Sequence, residues 1–492
     1  MKKLVITCFC LLCLIIINCP ASLAAPPELP QGLNKTKQED SSPDLPAGLE
    51  SSSDKDKSDS GEPDLPSGLG EGVQKQAGDR QKSKSLKQKL PFKINGFIDA
   101  RAGIRTQEDQ HQQDTSLAET RLQVELSKYW RKLTADLTAD FVYDSVTDEH
   151  QVDLETGKGV IDLREANIST TPINILDLKL GRQILTWGTG DQLFINDMFP
   201  KDWKSFFTGR DVEYLKAPSD AIKASLYPGL FTLNIVYTPR FDSDRYIDGE
   251  RISYFNSDPR IRDWAGRNRV IEVKNPETWF ADDEWAMRIY KNISGYELAA
   301  YAYDGYWKSP AGKANKRRNS KAIFPELSVF GGSATGSLGP GIGNAEIGYY
   351  HSQQDEDGDD PLVRNSEFRF LLGYDLEIGT DFTLGTQYYL EHMMDYEEYE
   401  NNDPKPHRDE NRHVVTLRLT KQLLMQNLEL SLMNFYSPND EDAYIRPNIQ
   451  YSLTDNWSAS IGGNIFFGEK DHTFFGQFEK NSNLYAGLRY NY

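Results

Sequence analysis

The chain is poor in cysteine, in long apolar runs and in net positive charge. Its four cysteines all lie within the first 19 residues, so the remainder has no disulfide framework and no cysteine metal site. Beyond residue 17 no apolar run approaches the length of a membrane-spanning helix, and the mean hydropathy is −0.62. The formal net charge of −19 argues against a nucleic-acid partner, which would need a basic surface.

The N-terminus has the features of a secretory signal peptide. Lys2 and Lys3 precede an apolar run over residues 4–17, and small residues follow over 21–25. This pattern predicts a signal peptide at 1–24 that is removed from the mature protein. Lipidation of Cys19 is the alternative, but Asn18 stands where a lipobox requires a small residue.

The C-terminus has the period-two pattern of a β-strand. Leu484, Ala486, Leu488, Tyr490 and Tyr492 are apolar or aromatic at every second position, which indicates a strand with one apolar face. The aromatic ending resembles the terminal signal read by the bacterial outer-membrane assembly machinery. We therefore predict an assembly signal at Leu488, Tyr490 and Tyr492, with an ordinary half-buried edge strand as the alternative.

Alternating segments recur through the rest of the chain. Three are close to ideal for strands with lipid on one face and water on the other, at 92–105, 118–126 and 133–144. Further candidates lie at 160–170, 173–187, 220–228, 230–238, 283–292, 295–304, 323–336, 342–351, 366–378, 381–393, 411–423, 427–437, 443–453, 456–467 and 484–492. The total is about 18 strands, and 16 stays open because segments such as 220–228 are weak.

Connection lengths support a membrane barrel. Every second connection is tight, at 129–132, 171–172, 228–229, 292–294, 378–381 and 454–456. Most intervening ones are long and polar. This asymmetry is typical of outer-membrane barrels, with short periplasmic turns and long outer loops. The predicted fold is all-β, a closed antiparallel transmembrane β-barrel over 91–492 that sits in outer-membrane lipid.

A polar segment over residues 25–90 precedes the predicted barrel. Its composition cannot bury a core, so we expect a disordered periplasmic tail. The phrase Pro-acid-Leu-Pro-x-Gly-Leu occurs three times, beginning at Pro27, Pro43 and Pro63. We predict that its leucines dock a periplasmic or envelope protein, with low-complexity drift in a spacer as the alternative. These leucines are Leu29, Leu33, Leu45, Leu49, Leu65 and Leu69.

The segment 187–207 is too apolar for a freely solvated loop. In a barrel its side chains could be buried in the lumen, so we predict that it folds inward and narrows or plugs the pore. Packing on neighbouring loops outside the barrel is the alternative. The residues predicted to form the constriction are Trp187, Phe194, Asn196, Asp197, Met198, Phe199 and Trp203.

The strand end before this loop carries a recognisable motif. Gly181, Arg182 and Gln183 are followed by Trp187 and Gly188 in the pattern Gly-Arg-Gln-x-x-x-Trp-Gly. The segment resembles an uncharacterised family of proteobacterial outer-membrane barrels, which is distantly similar to alginate-export-type and other porin-like channels. The resemblance implies a transport role, often proposed for lipids or hydrophobic compounds.

Strand parity also selects charges that face the lumen. The predicted residues are Arg101, Arg105, Glu119, Arg121, Asp136, Asp140, Glu165 and Lys179. Mixed signs on adjacent strands would hold a wide barrel open, although these charges could simply neutralise one another. The signal peptide and tail nearly balance in charge, so almost the whole net charge of −19 belongs to the barrel and favours cations.

These observations predict an outer-membrane channel for small hydrophilic or cationic solutes. A partner-recruited transporter of lipid or other hydrophobic cargo is the alternative. We expect no cofactor, no metal site and no catalytic residue, because His351, His392 and His413 have no neighbouring Ser or Asp in a recognised motif. An adhesion role for the long loops stays open, and the acidic stretch 355–360 lacks the frame of an EF-hand.

If the tail is only a docking arm, deleting residues 26–75 leaves barrel assembly intact. The expected result is an outer-membrane protein whose mobility in a denaturing gel still changes on heating, as for the full chain. Failure of the shortened protein to reach the membrane would contradict this interpretation of the tail.

Overall fold

The computed structural model describes residues 92–147, 152–256, 263–315, 320–402 and 407–492. The predicted signal peptide (1–24) and the predicted tail (25–90), with its six leucines, lie outside these ranges. Within the described ranges, no helix is long and apolar enough to cross a membrane. Strands dominate instead, and 18 of them form a single sheet.

We number the strands of this sheet β1–β18 in chain order. They are Lys93–Arg105, Thr115–Trp130, Leu133–Asp144, Ile161–Ile173, Leu176–Ile184, Pro218–Leu226, Thr232–Thr238, Glu284–Ile293, Tyr296–Tyr306, Glu326–Leu338, Gly341–Ser352, Glu367–Gly379, Phe382–Met393, Asn411–Leu423, Leu428–Ser437, Asp442–Ser452, Trp457–Phe467 and Asn483–Asn491. Each strand pairs antiparallel with the next, and β18 pairs with β1. This closure confirms the predicted 18-strand barrel and removes the 16-strand alternative.

The two faces of the wall follow the predicted alternation. Ile98, Leu122 and Phe141 are exposed on the outer face. Asp99 and Arg121, which lie opposite each other on β1 and β2, are buried on the inner face. An apolar exterior with every backbone ladder closed is the arrangement that lipid requires.

One predicted turn is wrong. The pair Thr171 and Pro172 lies within β4, which continues to Ile173, and the turn falls at 174–175. The register between β4 and β5 shifts between Thr170 and Ile173. Proline has no N–H to donate to a strand ladder and is tolerated where the pairing is irregular. Pro172 therefore coincides with a shift in register and not with the end of the strand.

The long connections contain short elements that the alternation did not predict. A helix, Trp203–Thr208, begins after Asp202, whose side chain accepts a hydrogen bond from Ser205 N (2.7 Å), and ends at Gly209 with φ of 97°. A 3₁₀ helix, Val212–Leu215, follows, and a second α-helix, Tyr396–Asn402, lies between β13 and β14. Small strand pairs also form in the loops, among them Tyr254–Asn256 with Asp263–Ala265.

The C-terminal residues lie at the seam where the barrel closes. Tyr492 N donates to Gly96 O (3.0 Å), and the Tyr492 hydroxyl donates to Gln123 O (2.9 Å), so this side chain reaches across β1 to β2. The ring of Tyr490 packs on Trp457, with centroids 4.9 Å apart, while Leu488 is exposed. A Cβ atom on Gly96 would clash with Gln123 O of the β2 backbone and lie 2.6 Å from the Tyr492 hydroxyl oxygen, so only glycine permits this packing.

Gly96→Ala is therefore expected to destabilise the seam by about 1–3 kcal/mol, as overpacking of close contacts does. The expected result is a lower temperature of gel-mobility change than for the unmodified protein. Gly379→Ala is the matched control, because nothing lies within 4 Å of a Cβ at that position. Equal stability of the two variants would count against the close packing of β1 on β2 and Tyr492 at the seam.

Candidate functional site

The connection between β5 and β6, residues 185–217, contacts inward-facing residues of distant strands; we call it the β5–β6 loop. Asp191 pairs with Arg418 of β14 (Oδ2 to Nε, 2.6 Å), and its backbone N–H donates to Gln387 of β13 (3.2 Å). In the closed ring of 18 strands, β14 is nine positions from β5. The loop therefore reaches the opposite wall.

A single wall carboxylate holds the first part of this loop. Glu346 of β11 is 1% exposed and accepts hydrogen bonds from Gly190 N (2.8 Å), Asn196 N (3.3 Å) and Asn196 Nδ2 (3.0 Å). Thr189 N is a fourth donor. At Gly188, where φ is 85°, a Cβ would lie 3.0 Å from Glu346 Oε1. The Trp-Gly end of the sequence motif thus lets the backbone approach this carboxylate.

The residues predicted to form the constriction pack together. Trp187 meets Phe199 edge to face (4.9 Å between centroids), and Phe194 meets Trp203 in the same way (6.1 Å). Met198 and Asn196 are buried. Asp197 pairs with Lys201 Nζ (3.0 Å) and accepts from Thr186 Oγ1 (2.8 Å). All seven predicted residues lie in this one loop, and most of them contact one another within it.

The second half of the loop packs against aromatic residues of the wall. The ring of Phe207 lies 5.3 Å from Tyr444 of β16 and 5.2 Å from Phe466 of β17, measured between centroids. Phe206 lies 5.7 Å from Tyr444 and beneath the guanidinium of Arg446 (4.8 Å). The sequence indicated that Phe206 and Phe207 needed burial, but their partners are remote in the chain.

Several predicted lumen charges hold the loop. Glu119 pairs with Arg210 (2.6 Å), and Asp140 pairs with Arg121 (2.5 Å) while accepting from the Tyr214 hydroxyl (2.8 Å). Arg101 donates to Gly209 O (3.0 Å). Glu119 and Arg210 thus neutralise each other between wall and loop, whereas Asp140 and Arg121 do so within the wall.

Other predicted lumen charges have different partners. Glu165 and Lys179 face each other on β4 and β5 at 3.7 Å, and Asp136 accepts from Ser127 Oγ (2.7 Å). Arg105 donates to Arg251 O (2.6 Å), in the connection between β7 and β8. The predicted lumen-facing charges therefore have their partners on the wall, in the β5–β6 loop and in a second loop.

That second loop, residues 239–283, was not predicted to contribute; we call it the β7–β8 loop. Asp244 accepts from Lys201 N (2.7 Å) and from Trp203 Nε1 (3.1 Å), and Asp248 pairs with Lys204 (2.7 Å). Arg245 pairs with Asp162 on the wall (2.7 Å). In the sequence, the acidic residues 242, 244 and 248 were the signal that could have indicated these contacts. As long as their basic partners are unknown, they look like the acidic residues of any solvent-exposed loop.

Glu346 and Arg418 were also missed by the sequence analysis. Strand parity could have placed both in the lumen, since each follows the inward alternation of its strand. The role of Glu346 depends on loop backbone groups 150 or more residues away, and that of Arg418 depends on Asp191. Alternation specifies the face of a strand but not the group opposite it.

A buried carboxylate joins the β7–β8 loop to the rim of the wall. Asp242 accepts from Ser219 Oγ (2.7 Å) and Asp220 N (2.8 Å), just where β6 loses its pairing with β7. Burial, together with nearby Glu284, raises the pKa of Asp242 to about 7. In the β5–β6 loop, burial also raises the pKa of Asp191, although the nearby positive charge of Arg418 lowers it.

The strand-borne histidines have partners other than a nucleophile or an acid. His413 Nδ1 shares a hydrogen bond with the Tyr388 hydroxyl (2.9 Å), and His392 Nδ1 shares one with Asn411 Oδ1 (2.9 Å). In the part of the chain that the structure describes, no group of three or more His, Cys, Asp or Glu side chains is arranged to hold a metal ion.

The sequence matches no protein-family model and no curated protein. In structure, the chain is similar to Acinetobacter baumannii OccAB4 (10% identity, TM-score 0.50, 83% of this chain and 100% of that chain). It is also similar to OccAB3 of that organism (10%, 0.48, 82% and 99%) and to Pseudomonas aeruginosa OccD3 (9%, 0.46, 81% and 91%). The similarity to OccAB4 shows a shared fold, in agreement with the predicted resemblance to porin-like barrels.

The raised pKa of Asp242 predicts a pH-dependent β7–β8 loop. Between about pH 4 and pH 7 the folded carboxyl keeps a proton that an unfolded aspartate, with its ordinary pKa of 3.8, has lost. Stability therefore falls as the pH rises through this window. Limited proteolysis within 239–256 should be faster at pH 8.5 than at pH 5.5.

Asp242→Asn cannot ionise and is expected to lose most of this pH dependence. Asp263→Asn, at an exposed carboxylate in the same loop, is the control and should retain it. The same pH dependence in both variants would mean that another group titrates.

Proposed function

We propose that the protein is a channel of the bacterial outer membrane that passes small hydrophilic or cationic solutes, with the segment 187–207 folded inward as its constriction. The observation that carries this proposal is the Asp191–Arg418 pair, which joins the loop to the wall nine strands away. A loop held across the barrel would narrow the lumen, and a barrel of 18 strands is wide enough to leave an aqueous path beside such a loop. Ionised side chains that keep partial exposure on the inner wall, such as Glu165 and Lys179, are consistent with an aqueous path.

The charge of the loop and wall supports a preference for cations. Glu213 and Asp211 of the β5–β6 loop keep side-chain exposures of 49% and 34% although they pair with Arg489. Glu165 and Asp375 are also partly exposed on the inner wall. Partly hydrated carboxylates along a pore lower the energy of a passing cation and raise that of an anion.

The alternative is a partner-recruited transporter of lipid or other hydrophobic cargo. The aromatic side chains of the β5–β6 loop do not favour it, because they pack on one another and on Tyr444 and Phe466. The three tail repeats do favour it, since a simple channel has no need of a tethered docking segment. The packing of the loop therefore favours the channel over the transporter.

The tail repeats are proposed to bind a periplasmic or envelope protein through Leu29, Leu33, Leu45, Leu49, Leu65 and Leu69. Three copies on one tether raise the effective concentration of the motif near its partner. A peptide of residues 26–75 should recover that partner from an envelope extract, and the peptide with all six leucines replaced by Ala should not. Equal recovery by both peptides would remove the proposal.

We propose that Leu488, Tyr490 and Tyr492 form the signal that the assembly machinery recognises. We also propose that the outer face of the assembled barrel contacts outer-membrane lipid. The place of these three residues at the closing seam supports the proposed signal, because β18 must pair with β1 to close the barrel. The contact of Tyr492 with β2 gives the signal a structural role after insertion.

The conductance of refolded full-length protein in a planar bilayer tests the channel proposal. We expect ohmic steps with cation preference, and removal of residues 190–207 should raise the conductance by about twofold or more, because the narrowest part limits the current. Arg418→Gln, which breaks the pair across the barrel, should increase current fluctuations. Arg269→Gln, which breaks an exposed pair with Asp263, is the control.

Two results would contradict this proposal. Unchanged conductance after removal of 190–207 would show that this segment is not the constriction. A silent full-length protein that conducts only after the removal would indicate a plugged transporter and favour the alternative.

A further inference from the structure

The connection between β11 and β12 contains a short, strongly acidic turn. Five of the six residues from Asp355 to Asp360 are acidic, and an aspartate stands at the first, third and fifth positions. Asp357 and Asp359 are exposed, whereas Asp355 is only 4% exposed. We call residues 355–360 the acidic turn.

The carboxylate of Asp355 points into the acidic turn. Its Oδ1 accepts hydrogen bonds from Asp359 N (3.1 Å) and Asp360 N (3.3 Å), so the backbone of the turn folds around this group. Its Oδ2 is buried and has no hydrogen-bond partner among the described residues. A buried carboxylate oxygen without a partner is unfavourable, so a cation or a donor is missing at this oxygen.

The negative charge of the acidic turn is not balanced by direct ion pairs. Within the described ranges, no lysine or arginine pairs with any of its carboxylates, and the nearby Arg364 pairs with carboxylates of the wall instead. Burial raises the pKa of Asp355, and the charges of Asp360 and Asp359 raise it further, although two backbone N–H donors lower it. Like charges held this close repel each other unless a cation lies between them.

A further carboxylate comes from the connection between β13 and β14. A Cβ on Gly358, where φ is 69°, would lie 2.6 Å from Asp395 Cβ, so the two connections touch at this point. Asn365 Nδ2 donates to Met394 O (3.1 Å) and joins them next to the contact. Asp395 is exposed, so its side chain can rotate toward the acidic turn.

We propose that the acidic turn binds a calcium ion, with Asp355 Oδ2 as the ligand that is already in place. No three carboxylates of the described residues converge beforehand, so the ion draws in the exposed side chains of Asp357, Asp359 and Asp395. Ca²⁺ takes about six to eight oxygen ligands in a flexible geometry, which a turn of this kind can supply. Mg²⁺ requires a near-ideal octahedron and keeps its water, so it fits less well. Binding orders the turn and joins the two connections.

Proteolysis of the acidic turn tests this site. Full-length protein refolded from inclusion bodies into detergent micelles carries no lipopolysaccharide, whose phosphates would also bind calcium. A glutamate-specific protease should cleave after Glu356, and Ca²⁺ at about ten times its dissociation constant should slow this cleavage about tenfold, because only the unbound fraction opens. Mg²⁺ at the same concentration should protect less.

Three variants assign the protection to named groups, each compared with and without Ca²⁺. Asp355→Asn removes the charge of the ligand that is already in place and should lose most of the protection. Asp357→Asn should also lose protection, and this exposed residue is not required for packing. Asp263→Asn, at an exposed carboxylate of another connection, is the control and should be protected as the unmodified protein is.

A calorimetric titration of the same protein with Ca²⁺ provides an independent measurement, and we expect one ion per chain. Absence of binding would overturn the proposal even if the turn resists the protease. Full protection in both Asp355→Asn and Asp357→Asn would also overturn it. Equal protection by Mg²⁺ would show that screening of surface charge, and not a calcium site, slows the cleavage. None of these measurements depends on conduction, so their failure would leave the channel proposal standing.

Discussion

Closure of the backbone ladder is the constraint on which the rest of this structure depends. In hydrocarbon an unpaired strand edge leaves N–H and C=O groups without water, so a sheet in lipid must pair its last strand with its first. Here β18 pairs with β1 over nine positions, and Tyr492 extends the contact to β2. With 18 strands, closure encloses a space that side chains of the wall alone cannot fill.

The enclosed space explains the charge and the loops together. Every second residue of the wall points inward, and many of these residues are ionised, so their burial requires partners. The β5–β6 loop supplies them, with N–H groups for Glu346, Arg210 for Glu119 and Asp191 for Arg418. The same contacts that stabilise buried charges therefore also fix the loop within the barrel.

Not every charge of the interior is buried along the proposed path. Asp211 and Glu213 of the β5–β6 loop keep partial exposure, which supports the proposed preference for cations.

The sequence by itself determined the barrel class and most strands of the wall, because period-two alternation is a local property: Ile98 faces out and Asp99 faces in for the same reason. It left the number of strands at about 18, with 16 open. It also indicated that 187–207 needed burial. It did not reveal the continuation of β4 past Pro172, which depends on a shift in pairing with β5. Only the tertiary structure decided that Glu346 meets Asn196 and that Arg418 meets Asp191, because closing the barrel brings together strands that are far apart in the chain.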